Sequence, residues 1–175
     1  MASRLNNFFG VRRKRYNKSI TPDVVEKILG WLALVLLGFA IAAVIKGQDQ
    51  WQKIPWQLWV HLGTLAIVLA ITPVMLWRKR GDAIHRTFGW IWAIGMLTTA
   101  LVSFDIRWNN PGQFSVIHIL SVLTMIGVPM IIVAARRRDI GRHRGLARGF
   151  VIGALLVAGF FTFPFNRLLG SWLFG

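Results

Sequence analysis

The chain has 175 residues, a net charge of +15 and 55% hydrophobic residues. Only 15% of its residues are charged, against about 25% in ordinary soluble domains, which leaves too little polar chain to clothe a water-exposed fold. It has no cysteine, which excludes disulfides, thiolate metal sites and thiol catalysis.

Residues 1–21 are basic and read as a retained cytoplasmic arm, lying on the membrane or on a partner, rather than as a removed targeting segment. The remainder, 22–175, reads as a single transmembrane domain. Thr21-Pro22-Asp23 is a helix start signal, with Thr21 expected to cap, Pro22 at the first helical position and Asp23 in the first turn. Apolar blocks then predict five membrane-spanning helices, at about 22–46, 56–77, 83–104, 115–135 and 140–163, since about 20 apolar residues cross a bilayer core. Between the first two, 46-KGQDQWQKIPW-56 carries interfacial Trp residues, and Pro55 opens span two. The loop after span three holds the turn signal Asn110-Pro111-Gly112, with Asp105 and Arg107 placed for a local pair and Ser115 placed to cap span four. The end, 164-PFNRLLGSWLFG-175, is expected to lie along the opposite interface.

The cations are segregated. Segments 1–27, 78–86 and 136–148 hold 17 of the 21 Lys and Arg residues. Positive loops remain cytoplasmic, so the amino terminus is expected inside and the carboxyl terminus outside. Such a distribution points to anionic lipid headgroups at the cytoplasmic face, not to nucleic acid.

Spans two to five contain a repeat. 60-VHLGTLAIVLAITP-73 leads through a basic turn to 84-IHRTFG-89, and 117-IHILSVLTMIGVP-129 leads through a second to 142-RHRGLARG-149. The expectation is an all-α membrane protein in which spans two to five form a four-helix bundle from two parallel hairpin repeats, with span one outside the repeat. All four histidines fall at matching points. His61 and His118 lie near the outer ends of spans two and four, and His85 and His143 lie in the first turns of spans three and five. Asp82 and Asp139 precede the inner pair as helix caps.

Paired histidines on facing helices suit axial ligation of haem iron. The face of His61 is expected to continue through Leu65, Val68 and Thr72, that of His118 through Val122, Met125 and Pro129, and that of His85 through Gly89, Trp92, Met96, Thr99 and Ser103. Arg86 and Arg144 are placed to meet haem propionates. The outer pair, deeper in the bilayer, is the preferred haem site; the inner pair also suits headgroup contact. The rival reading of the outer pair is neutral imidazoles hydrogen-bonded across helices to Ser121, Thr64 or Asn110. Gly145, Gly149 and Gly153 recur every fourth residue, turned away from His143, and predict a close helix-packing ridge.

Segments 81-GDAIHRTFG-89, 114-FSVIHILS-121, 143-HRGLARG-149 and 163-FPFNRLLG-170, with His61, resemble the pattern of a bacterial family of predicted integral membrane proteins built on a domain of unknown function. The layout is also similar to that of the ascorbate-reducible transmembrane b-type cytochromes. That resemblance is one of architecture. It implies two haems, one held by His61 and His118 and one by His85 and His143. The functional expectation is transmembrane electron transfer by one or two b-type haems, as an oxidoreductase component, with a quinone or a membrane-complex partner. The alternative is a cofactor-free accessory or structural subunit of a larger membrane complex.

Overall fold

The computed structural model describes residues 21–106 and 116–175. The basic arm up to residue 20, Arg107, the 110–112 turn signal and the Ser115 cap lie outside the described residues.

Helix α1 runs Val24–Lys46. Its start lies two residues beyond the expected one, because Asp23 and Glu26 form a reciprocal capping box. The Glu26 N–H donates to the Asp23 carboxylate and the Asp23 N–H to the Glu26 carboxylate, each at 3.1 Å. Thr21 therefore does not cap, and its carbonyl instead accepts from Arg80 at 3.1 Å. A 3-10 segment, Gln48–Lys53, leads to α2, Trp56–Trp77, with Pro55 at the N-cap as expected. Helix α3 is Ala83–Ser103 and α4 is Val116–Arg136. Helix α5 starts as Ile140–Phe150, continues with π-helical bonding over Val151–Val157 and ends in Ala158–Phe160. A last helix, Leu168–Phe174, packs back on α1. No strand occurs among the described residues.

The two turns that precede α3 and α5 share one construction. Gly81, at φ 86°, precedes the cap Asp82, and Arg138, at φ 55°, precedes the cap Asp139. A left-handed residue reverses the chain, and the following carboxylate takes an N–H of the new helix. Pro73 and Pro129 both lie inside their helices, as the repeat pattern requires.

Helices pack in chain order from α1 to α5, and the π-helical part of α5 returns to α1. The expectation of a core made from spans two to five alone is therefore revised. Helix α1 lies outside the repeat in sequence but is part of the packing, between α2 and α5. Small residues permit the closest contacts. A β-carbon at Gly127 would overlap the Phe150 ring, and one at Gly30 would overlap the Trp77 indole. The expected ridge at Gly145, Gly149 and Gly153 packs against no helix of this chain: a β-carbon at any of the three would meet nothing within 4 Å. Their face of α5 is exposed, and α4 packs instead against the side carrying Leu146 and Phe150.

Polarity is inverted relative to a soluble protein. Large apolar side chains such as Trp31, Ile67, Ile94, Ile119 and Ile126 point outward, while Glu26, Thr72, Thr99, Ser103, His118, Ser121 and Thr124 are buried. Three helical stretches, Val24–Lys46, Trp56–Trp77 and His118–Arg136, are long and apolar enough to cross a membrane. The fold is all-helical and compatible with a membrane protein.

Gly127→Leu should force Phe150 out of its seat and cost about 1–3 kcal/mol, read as a lower unfolding midpoint in detergent. Gly149→Leu, facing open space, should leave that midpoint unchanged.

Candidate functional site

The capped turns bring two histidines together. Asp82 accepts the His85 backbone N–H at 2.6 Å, which fixes the first turn of α3. Asp139 accepts the Arg142 N–H at 3.1 Å in the same way, so that His143 falls one residue further into its helix than His85. The imidazoles of His85 and His143 face each other with ring centres 6.2 Å apart and planes at 74°. His143 Nδ1 donates to the Ile131 carbonyl at 3.1 Å. A carbonyl only accepts, so this bond fixes the proton on Nδ1 and leaves the Nε2 lone pair available to a metal. His85 Nδ1 is buried and has no hydrogen-bond partner.

Both imidazoles border a cavity of about 530 Å³ lined by residues from all five long helices. That size falls within the range of about 300–1,000 Å³ usual for cofactor pockets. Its walls are apolar: Met75 and Leu76 from α2, Gly89, Trp92 and Ala93 from α3, Val128, Ile131 and Ile132 from α4, and Val151 from α5. The Trp92 indole donates to Thr72 Oγ1 at 3.1 Å and ties two of these walls together. Its basic end carries Arg80, Arg86, Arg136, Arg138, Arg144 and Arg148. Arg136 stacks over the Trp90 ring at 5.7 Å, and Arg86 donates to the Gly81 carbonyl at 2.7 Å.

Glu26 is the one carboxylate among the described residues that line this cavity, and it is only 1% exposed. Arg80 donates to it across 54 residues of sequence. Arg144 contributes two bonds, at 2.9 and 3.1 Å, and Arg148 one at 3.1 Å. Asp23, closer to the surface, pairs with Arg144 at 2.8 Å and also with Arg148. Sequence reasoning placed Arg144 toward haem propionates. Here its guanidinium is committed to the two acids at the start of α1. Glu26 was missed altogether, although the Asp-x-x-Glu capping box marks its place.

Two carboxylates outside the helices carry shifted acidities. Burial pushes the Asp23 carboxyl up, but hydrogen bonds from Arg148 and the Glu26 N–H, and the charges of Arg148 and Arg144, outweigh it and hold the pKa below its usual value. The His85 backbone N–H, then Arg78, hold Asp82 below its usual value too.

His61 and His118 are built differently. The Ser103 hydroxyl donates to the Thr99 carbonyl at 2.7 Å, so it accepts from His61 Nδ1 at 2.9 Å. Thr99 Oγ1 in turn meets Thr64 Oγ1 at 2.6 Å. These bonds join α2 to α3, through Ser103 rather than the expected Ser121, Thr64 or Asn110; Asn110 lies outside the described residues. His118 is buried, with its ring 6.1 Å from that of Phe104.

The predicted inward stripe of α3 holds. Trp92, Met96, Thr99 and Ser103 are all buried, and Gly89 lines the cavity. On α2, Val68 and Thr72 are buried below His61 as expected. The stripe predicted for His118 does not hold, because Val122 and Pro129 are exposed. The buried side of α4 runs through His118, Ser121, Thr124, Val128 and Ile131. Asp105, expected to pair with Arg107, accepts from Gln57 at 2.8 Å.

No family model, curated protein or solved structure matches this chain. Among the described residues no group of three or more His, Cys, Asp or Glu side chains is placed to hold a metal ion, which leaves the facing imidazoles as the candidate donor set.

The depressed acidities give a pH dependence of known sign. Groups whose pKa is lower folded than unfolded add stability above the unfolded value, and that stability is lost as pH falls through the folded value. The unfolding temperature in detergent should therefore fall as pH is lowered from the usual Asp value of 3.8. Asp23→Asn should flatten part of that fall.

Proposed function

We propose that this protein is a five-span inner-membrane electron-transfer component that holds one b-type haem between His85 and His143 at its cytoplasmic end. The observation that carries the reading is the pair of neighbouring imidazoles beside a largely apolar cavity with a basic end. Two imidazoles holding one metal at about 2.0–2.1 Å from each ligating nitrogen stand about 6 Å apart, centre to centre, and these stand at 6.2 Å. The Nδ1–H of His143 points at a backbone carbonyl, the usual orientation of a metal-ligating histidine. When bound, haem supplies a one-electron couple. The chain's own part is to orient the two rings, to exclude water with Trp92, Val128 and Ile131, and to present cations to the propionates. Arg86 and Arg136 are placed for the last task in preference to Arg144, which is held by acids.

Five spans with basic turns in the cytoplasm fit the inverted polarity and the segregated cations. The α3 and α5 helices start with charged turns, yet each continues as an apolar helix that packs beside the longer spans. The resemblance in sequence layout to the transmembrane b-type cytochromes is in keeping with this reading, with the haem assigned to the inner pair. A quinone or a neighbouring membrane complex is the electron partner.

A second reading has one observation in its favour. The open face of Gly145, Gly149 and Gly153 has the spacing that lets another transmembrane helix approach closely, as in a cofactor-free subunit of a larger complex.

Absorbance of the protein purified in mild detergent separates the two. The haem reading expects a Soret band that is lost in both His85→Ala and His143→Ala and kept in His118→Ala. A colourless protein that co-purifies with a stoichiometric membrane partner would leave the subunit reading standing instead.

A further inference from the structure

Each imidazole of the pair sits directly beside a basic segment that is tied to the same acid. Arg80 lies two residues before Asp82, whose carboxylate holds the His85 N–H. Arg144 follows His143 immediately, and Arg148 lies one turn further along the same helix. Glu26 accepts from all three guanidiniums. It belongs to α1, which carries neither histidine. From these contacts we infer that Glu26 is the positioning residue of the histidine pair: one buried carboxylate that sets the distance between the first turns of α3 and α5. The inference deepens the ligand-pair reading above and rests on it for its functional meaning, while its geometric content stands independently.

The physical reason is charge. Three guanidiniums converge at the edge of an apolar cavity, where like charges repel far more strongly than in water. Their shared anion turns that repulsion into a three-way attraction directed at one point. Hydrogen-bonding groups on both sides of the carboxylate fix its orientation, with the Asp23 N–H occupying Oε2. Asp23 is the only other acid paired with Arg144 or Arg148 among the described ion pairs, and at 44% side-chain exposure it is a weaker, solvent-screened anchor. Removing the Glu26 charge leaves Arg80 without its carboxylate and weakens the hold on α5. The turn carrying His85 and the turn carrying His143 are then free to separate.

The chain has no cysteine, so paired cysteines introduced for spin labels report alone. Labels at positions 84 and 142, next to the two histidines, read the distance in question. Labels at 63 and 119, exposed near the other ends of α2 and α4, serve as the control pair. Double electron–electron resonance on the full chain in nanodiscs should give one narrow 84–142 distance in the parent. In Glu26→Gln that distance should broaden toward longer values while the 63–119 distance is unchanged. Arg80→Gln and Arg148→Gln should each broaden it less, and they supply the answer if Glu26→Gln does not fold. An unchanged 84–142 distribution in these variants would overturn the inference, as would equal broadening of both label pairs, the mark of general loosening. These distances are read whether or not pigment is present, so absence of haem defeats the functional reading without touching this one. In pigmented protein, the near-perpendicular rings predict a strongly anisotropic low-spin EPR signal that shifts in Glu26→Gln.

Discussion

A single carboxylate organises the basic end of this molecule. Glu26 is buried, and the groups around it are arginines from three places in the chain. A lone carboxylate at that depth is strongly unfavourable, and so are three unpaired guanidiniums, but together they form a satisfied network. The arrangement explains why α1, which lies outside the sequence repeat, is drawn into the packing between α2 and α5. It also explains why the cavity retains its shape at the end where positive charge is densest. The hydrophobic contacts of α1 with its neighbours are non-directional, whereas the ion pairs select one rotation and one height for it. Conformational specificity is the best-supported role for such buried ionic groups.

The cavity and its two imidazoles follow from this frame. Paired turns of the same design, each with a left-handed residue and an aspartate cap, start α3 and α5 at similar heights. Both caps accept the N–H three residues on, but His85 is the third residue after its cap and His143 the fourth, and the two rings stand close to perpendicular. From His85 the inward stripe of α3 descends through Trp92, Met96 and Thr99 to Ser103, which holds His61. One helix face thus connects the two histidine levels. At the far level the histidine on α2 serves as a cross-helix tie, in line with the modest but directional value of hydrogen bonds between helices in lipid.

Much of the fold was legible because helix lengths and polarity are local properties. The ends of α2 and α3, the caps Asp82 and Asp139, and the inward face of α3 all follow from spacing and residue type. Longer-range relations were not legible. Arg144 reads as a free cation beside His143 until a carboxylate 118 residues away is brought to it. The glycines of α5 read as a packing ridge because their spacing is right, yet spacing does not say which side of a helix has a neighbour. The preference for the outer histidines rested on depth in the bilayer. Depth makes an ionisable group notable; which rings come close depends on which helices adjoin, as for His85 and His143, whose ring centres stand 6.2 Å apart. The start of α1 was misplaced because Thr21-Pro22 is a good local signal outcompeted by a better one two residues on, where two side chains satisfy two backbone donors at once.

The clamp also constrains the order in which the molecule can be made. Glu26 leaves the ribosome 54 residues before Arg80 and more than a hundred before Arg144 and Arg148. During that interval the start of α1 has the reciprocal capping box of Asp23 and Glu26 but none of these three guanidiniums. The final hairpin is what draws that end inward. Translation of the second basic turn is therefore the step that completes the set of guanidiniums around Glu26 and ties the earliest helix to the last long one.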